Sequence, residues 1–499
     1  MTWPILSLMI WFPIVSSAFV MVSHVTVARW ISVATAATVL VASVLLTVTY
    51  DGSATQVLQF SEYHTWIPAF HITYHLGVDG VALACIVVSA LSVLIAVLVA
   101  WGEQCERPAS YFALFLLFEG LIIGLFSATD AMVFYVFFEG SLLPLFLLLG
   151  GWGKEGRASA ALTFFLYNFA GALALLAALI YLYTKCGSFL LSDLSRLSLS
   201  AREQSWLFFA FFLAFAIKLP LFLVHTWLPS AHRQATHASS ILIALKVGGY
   251  GLLRFNLPIV PDACYQYADC VFALSLLAII VAGLIAVWQS DIPSLLAYSS
   301  IAQMGLVTLG LFCSIPLARD YGNSDAARLS IEGAMLQMMS NTNVSAGLFA
   351  GASFLYVRRQ THSIAAFGGV ASQLPALATA IFILCLANCG LPGTSGFLGE
   401  FMVILASFQT FPPLALGAAC ILVIGAAYTL WFYRRVFWGE PSAGHGPSLY
   451  PLVHREKFVL AACACVVIVI GVFPRVATDL MDSSMKQLVT QLSVIKDRS

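Results

Sequence analysis

Stretches of about twenty apolar residues recur along this chain from Pro4 to Phe473, and each is long enough to cross a lipid hydrocarbon core as a helix. Runs such as Val81 to Val99 lack the alternation of polar and apolar residues that a membrane β-barrel strand needs. Allowing for short connections, the pattern predicts an all-α integral membrane protein of about fourteen transmembrane helices. Their centres fall near residues 12, 38, 90, 118, 140, 170, 213, 245, 278, 303, 343, 390, 425 and 466. Composition agrees: 61% of the residues are hydrophobic and only 9% charged, too few to cover a water-facing surface.

Several functions are excluded at this stage. A formal net charge of zero gives no pull toward nucleic acid. The 11 cysteines lie mostly inside the apolar stretches. The close pairs Cys385/Cys389 and Cys463/Cys465 lack zinc or iron–sulfur spacing, so they read as small packing residues. No glycine-rich phosphate cradle is present. The chain is therefore expected to hold no metal or redox cofactor of its own. Its first span, Pro4 to Met21, has neither a basic leader nor a small-residue cleavage site and reads as retained.

Long polar interruptions are expected at 50–77, 185–203, 314–329 and 439–456. The first, rich in Tyr and His with Trp66, suits the membrane interface. Between Ala477 and Lys496, the spacing of Leu480, Met481, Met485, Leu488, Leu492 and Ile495 predicts a surface-lying amphipathic helix. Basic residues in short loops, among them Arg107, Lys154, Arg157, Arg233 and Arg358, favour a topology with these loops inside and both termini outside.

Against this background four charges stand out: Glu139, Lys218, Lys246 and Glu400, each beside an apolar run too long for easy snorkelling. A charge at the bilayer centre costs about 2.5–3.5 kcal/mol on insertion scales, which makes such residues functional candidates. Two structural ion pairs are the alternative, but pairs in a static bundle are often no better than apolar replacements. Pro220 should break the helix that carries Lys218, and Gly390, Pro392, Gly393 and Gly396 should interrupt the one before Glu400. Lys218 then stands at a negative helix end and Glu400 near a positive one. Two interrupted helices in corresponding halves point to a transport site near the midplane. A carboxylate near a buried lysine keeps its proton on, and one that moves away lets it go. Glu139 and Lys218 could thus gate a proton, with Lys246 and Glu400 passing it on. Glu119 and Asp130 read as weaker candidates around a span end. His225, His232 and His237 surround the loop after Pro220 without metal-ligand spacing, and Asp291 suits a short loop where it could pair with a neighbouring helix.

The motifs FYVFFEGSLLPLFLLLGGWG, AFAIKLPLFLVHTWLPSAH, ALKVGGYGLLRF, LAYSSIAQMG and GLPGTSGFLGEF, with YHLGVDG before the third span, resemble the antiporter-like membrane subunits of respiratory complex I, the NADH-quinone oxidoreductase. Glutamate at position 400, where related L and N subunits usually carry lysine, resembles the M branch. The resemblance implies fourteen helices with two inverted five-helix repeats containing broken helices. On that division, 1–107 holds N-terminal helices, 108–256 and 257–438 the repeats, and 439–499 a last helix and amphipathic tail. It implies a gating pair in Glu139 and Lys218, a central relay at Lys246, an exit-side group at Glu400, and a secondary proton path through His225, His232, Gln303 and Asn341. Flavin, iron–sulfur clusters and quinone would belong to partner subunits, with L and N as neighbours in a bacterial inner membrane. A cation/proton antiporter, a membrane-bound hydrogenase or a non-conducting structural subunit would use the same scaffold. Three departures stand in the relay: Gln303 and Asn341 replace histidines, and Pro293 replaces a lysine. An amide cannot exchange charge as imidazole does.

Overall fold

The computed structural model describes residues 4–52, 58–103, 105–439 and 449–494. The chain opens with α1 (Ile5–Val22) and α2 (Val25–Thr49), followed by β1 (Gln59–Ile67), β2 (Ile72–Val78), α3 (Gly80–Ala100) and α4 (Pro108–Ser127). Next come α5 (Ala131–Gly140), α6 (Leu142–Trp152), α7 (Arg157–Cys186), α8 (Leu191–Leu194), α9 (Ala201–Lys218), α10 (Trp227–Gln234), α11 (His237–Ile243) and α12 (Val247–Gly251). A second run holds α13 (Leu257–Ile259), α14 (Pro261–Gln266), α15 (Ala268–Leu277), α16 (Gly283–Val287), α17 (Ile292–Arg319) and α18 (Ser324–Arg359). The last elements are α19 (Val370–Gln373), α20 (Pro375–Asn388), α21 (Ser395–Thr410), α22 (Pro412–Phe437), α23 (His454–Val472) and α24 (Arg475–Val494).

By length and apolarity, 10 helical spans among the described residues can cross a membrane, or 11 if the bent pair α23–α24 counts as one. The expected number of fourteen is not reached on this measure, for physical reasons. Helix α9 stops at Lys218, and the segment centred near 390 is divided into α20 and α21. The segment centred near 343, α18, buries Glu332, Gln337, Asn341 and Asn343 and is too polar to qualify.

The interval 50–77 is more ordered than an interfacial coil: β1 and β2 pair antiparallel. Their hairpin leads into Asp79, which caps α3 through Ala82 N at 2.9 Å and pairs with Arg254, tying the early helices to the region after α12. The interruption expected at 314–329 shrinks to 320–323, since α17 runs to Arg319 and α18 starts at Ser324. The tail is helical as its spacing predicts, but Met481, Met485, Val489 and Leu492 are buried against the protein's own helices. Arg328 of α18 donates to Asp482 at 2.6 Å. Ile495 lies outside the described residues.

Helix α23 is fastened to α18 by Arg358, whose side chain is fully buried and donates to Glu456 Oε2 at 2.6 Å and to the carbonyls of Tyr450 and Pro451. Arg358→Met strands Glu456 inside the protein. It should cost about 3–5 kcal/mol, read as a lower unfolding midpoint in denaturant.

Candidate functional site

Pro220 ends α9 as its missing amide requires, and the carbonyls it frees find other donors. Leu221 N donates to Ala216 O at 2.8 Å and the Trp227 indole to Ile217 O at 3.2 Å. Lys218 is the last residue of this helix, half-buried, with its amine 4.9 Å from the centre of the Phe138 ring. Glu139, also half-buried, follows Phe138 on α5. The two charges feel one another without a direct ion pair among the described residues.

Lys246 occupies a break that sequence reasoning missed, between α11 and α12. The run Val247–Gly251 explains it: a Cβ on Gly248 would stand 2.3 Å from Phe215 O, so only glycine lets α12 press against the end of α9. Lys246 is buried and its amine has no hydrogen-bond partner among the described residues. A cavity of about 20 Å³, in which the centre of a water-sized sphere can move, is lined by Lys218, Asn168, Ser141, Trp227, Leu245 and Val247. It has room for about one water between Lys218 and the residues flanking Lys246.

Of the two histidines expected on a secondary path, only His232 among the described residues feels the charge of Lys246. His232 is buried, stacks on Phe349 of α18 at 4.6 Å and lies within the field of Lys246. His225 stacks on Phe222 at 5.1 Å. Both ring nitrogens of His232, and Nδ1 of His225, lack a partner among the described residues.

In the second half, Gly390 and Gly393 take positive φ and divide α20 from α21, which places Glu400 in the second turn of α21. Glu400 is buried; its Oε1 accepts from Gln303 Nε2 at 3.0 Å and from Gln337 Nε2 at 3.4 Å, while Oε2 has no partner among the described residues. Gln337 also donates to Gln303 Oε1 at 2.7 Å. The polar file continues on either side. Asn388 donates to Ser299 at 3.0 Å and Thr429 at 2.9 Å, Ser300 donates to Asn341 Oδ1 at 3.2 Å, and Ser340 bonds Ser395 at 2.7 Å. Gln303 thus touches the acidic residue directly, whereas Asn341 accepts from Ser300 instead.

Two secondary candidates exchange weight. Asp130 is structural: it caps α5 through Met132 N and Val133 N and accepts from Thr73. Glu119 is not at a span end but in the middle of α4, fully buried, with neither carboxyl oxygen partnered among the described residues. The span centre near 118 was the available signal, and Pro108 at the first turn of α4 agrees with it. Asp291 caps α17 through Ser294 N at 2.9 Å and lies 3.7 Å from Arg233, a helix-to-helix pairing. Among the described residues no group of three or more His, Cys, Asp or Glu could hold a metal ion.

Comparison with known proteins sets this geometry in context. Residues 128–425 match the family described as NADH:quinone oxidoreductase/Mrp antiporter, transmembrane. The NADH-quinone oxidoreductase subunit M of Rhodobacter capsulatus is 38% identical over 478 residues, covering 93% of this chain and 90% of that protein. A chain of respiratory complex I from Thermus thermophilus superposes with a TM-score of 0.88 at 31% identity, covering 98% of this chain and 99% of that one. A chain of the Mrp complex from Dietzia, 20% identical with a TM-score of 0.82 over 99% of this chain and 100% of that one, shares the fold.

Proposed function

The chain belongs to the NADH:quinone oxidoreductase/Mrp antiporter transmembrane family, and from that membership we propose how its buried charges serve proton translocation. It acts as a membrane-arm subunit of an NADH-quinone oxidoreductase. The observation that carries the proposal is the line of ionisable and amide side chains, Lys218, Lys246, Gln303 and Glu400, buried or half-buried beside helix breaks.

In this reading Glu139 sets the proton on Lys218. When the carboxylate draws near, the amine keeps its charge; when it withdraws, desolvation favours release. The released proton crosses the small cavity toward Lys246, whose amine no side chain among the described residues holds. His225 and His232 form a side branch to the same lysine. Beyond Lys246 the path runs through hydroxyls and amides to Glu400. Gln303 and Gln337 fix Oε1 of that carboxyl and leave Oε2 to take the proton, so the amide orients the acid without itself changing charge. Segments 108–256 and 257–438 work as two repeats, each supplying at least one broken helix and one part of the path.

Energy for this motion comes from partner subunits, which carry flavin, iron–sulfur clusters and quinone. Exposed apolar side chains such as Trp11, Phe12 and Phe19 on α1 and Leu416 and Val423 on α22 suit lipid and neighbouring membrane subunits, with L and N expected beside it in a bacterial inner membrane. Glutamate at 400 favours the oxidoreductase subunit over an antiporter subunit, where the resemblance leads one to expect lysine.

Vesicles bearing the assembled complex test the function. Lys246→Met should lower proton uptake per NADH oxidised by about tenfold, less than a missing acid–base group usually costs because water can bypass it in part. Uptake equal to the parent would remove the relay from the account.

A further inference from the structure

A second group of ionisable side chains stands where the loops after α3, α6 and α18 meet, outside the line just described. An open cavity of about 580 Å³ is walled there by Glu103, Lys154, His237, Ser353 and Tyr356. Glu103 Oε1 accepts from Ala238 N at 3.2 Å and lies 3.8 Å from His237 Nδ1, while Oε2 accepts from Tyr111 OH at 2.7 Å. His237 Nε2 is buried without a partner among the described residues. Its ring lies 4.9 Å from His362 and 5.3 Å from Tyr356, which stack on each other at 4.3 Å. The Lys154 amine touches His362 Nε2 and donates to Arg233 O at 3.0 Å.

The titratable groups facing His237 are thus Glu103 from the loop after α3, Tyr111 from α4, Lys154 from the loop after α6, Tyr356 from α18 and His362 beyond it. Burial opposes ionisation of Glu103, but hydrogen bonds from His237, Tyr111 and Ala238 outweigh it and hold the carboxyl below its usual range. Burial also lowers Lys154, to about 8, partly offset by Asp291 and Glu103. His362, lowered to about 3 by burial and then by Lys154 and His237, is neutral and can both accept and donate.

One face of α18 connects this group to the interior. Tyr356 packs on His237 and His362, Ser353 lines the cavity one turn deeper, and Phe349 carries His232. From Tyr356 to Phe349 the helix descends about 10 Å, too far for one transfer but short for a few waters held at Ser353. His237 also opens α11, the helix that ends just before Lys246. The basic loops here, with Lys154, Arg157, Arg233 and Arg358, mark the cytoplasmic side, from which a proton pump draws.

We propose that this cavity is the proton intake of the chain, with Glu103 and His237 collecting protons at its wall and His232 handing them to Lys246. The inference rests on the relay reading of Lys218 and Lys246. A collector matters most where free protons are scarce, so its loss should show at alkaline pH.

The test uses the assembled complex in vesicles with this loop face outward and a pH-sensitive dye. His237→Gln, which keeps a hydrogen bond toward Glu103 but cannot exchange a proton, should slow uptake by about tenfold at pH 8 and leave it near the parent at pH 6. Glu103→Gln should show the same pH profile and Glu103→Asp should restore it. Imidazole, small enough for the cavity, should rescue His237→Ala but not Lys218→Met. If both His237 variants pump like the parent at pH 8 as well as at pH 6, or their defect ignores pH and imidazole, the intake is refuted while the relay stands. Normal pumping by Lys218→Met would instead refute the relay.

Discussion

Lys218→Met should abolish proton translocation, by about a hundredfold or more, in a complex that still assembles. Methionine matches the stem of lysine and keeps a favourable contact with the Phe138 ring that now lies under the amine. The end of α9 does not need the charge. Its freed carbonyls are already taken by the amides of Leu219 and Leu221 and by the Trp227 indole. Nor is Glu139 stranded, because it is only half-buried and has no direct ion pair to lose among the described residues. Stability should therefore change little, while the one group that can lift a proton from the Glu139 side toward Lys246 is gone. A hundredfold loss corresponds to about 2.7 kcal/mol of barrier. Translocation by vesicles and the thermal midpoint of the complex, measured together, decide the matter. A structural ion pair predicts the reverse pattern, with a lowered midpoint and surviving translocation.

Much of this arrangement was legible in the residues, and the reasons differ by element. Apolar length located the spans because lipid leaves a helix few alternatives. Pro220 and the Gly-Leu-Pro-Gly run from Gly390 located the two divided helices, since a missing amide and left-handed glycines act locally. Periodicity found the helix of the tail, but not that Met481 and Met485 face protein rather than lipid, because both surroundings reward the same side chains. The break at Lys246 escaped because no local pattern marks it; the nearness of Phe215 is what makes Gly248 and Gly251 obligatory. Glu119 was read as a span-end residue although the span centre near 118 already placed it at mid-helix, where α4 holds it. The bond from Gln303 to Glu400 joins residues 97 apart in the chain, and no local pattern announces it. The same holds for Glu103 and His237, brought together by tertiary packing of α3 and α11.

The glycines dividing α20 from α21 allow a controlled comparison at Glu400. Gly390 and Gly393 have φ of 69° and 88°, so alanine at either should cost about 1–2 kcal/mol in backbone strain. Their surroundings differ. A Cβ at Gly393 meets nothing within 4 Å, whereas one at Gly390 would stand 2.0 Å from Glu400 Oε2. Gly390→Ala must therefore push the carboxyl aside, stretching its bonds to Gln303 and Gln337 and covering the one oxygen left for the proton. A misplacement of about 1 Å can cost about a hundredfold where groups must meet in line. Both variants should lower the unfolding midpoint by similar amounts, but only Gly390→Ala should cut proton translocation, by at least about tenfold. If the two variants translocate equally, the position of the Glu400 carboxyl does not matter to the proton, and the path ends before it.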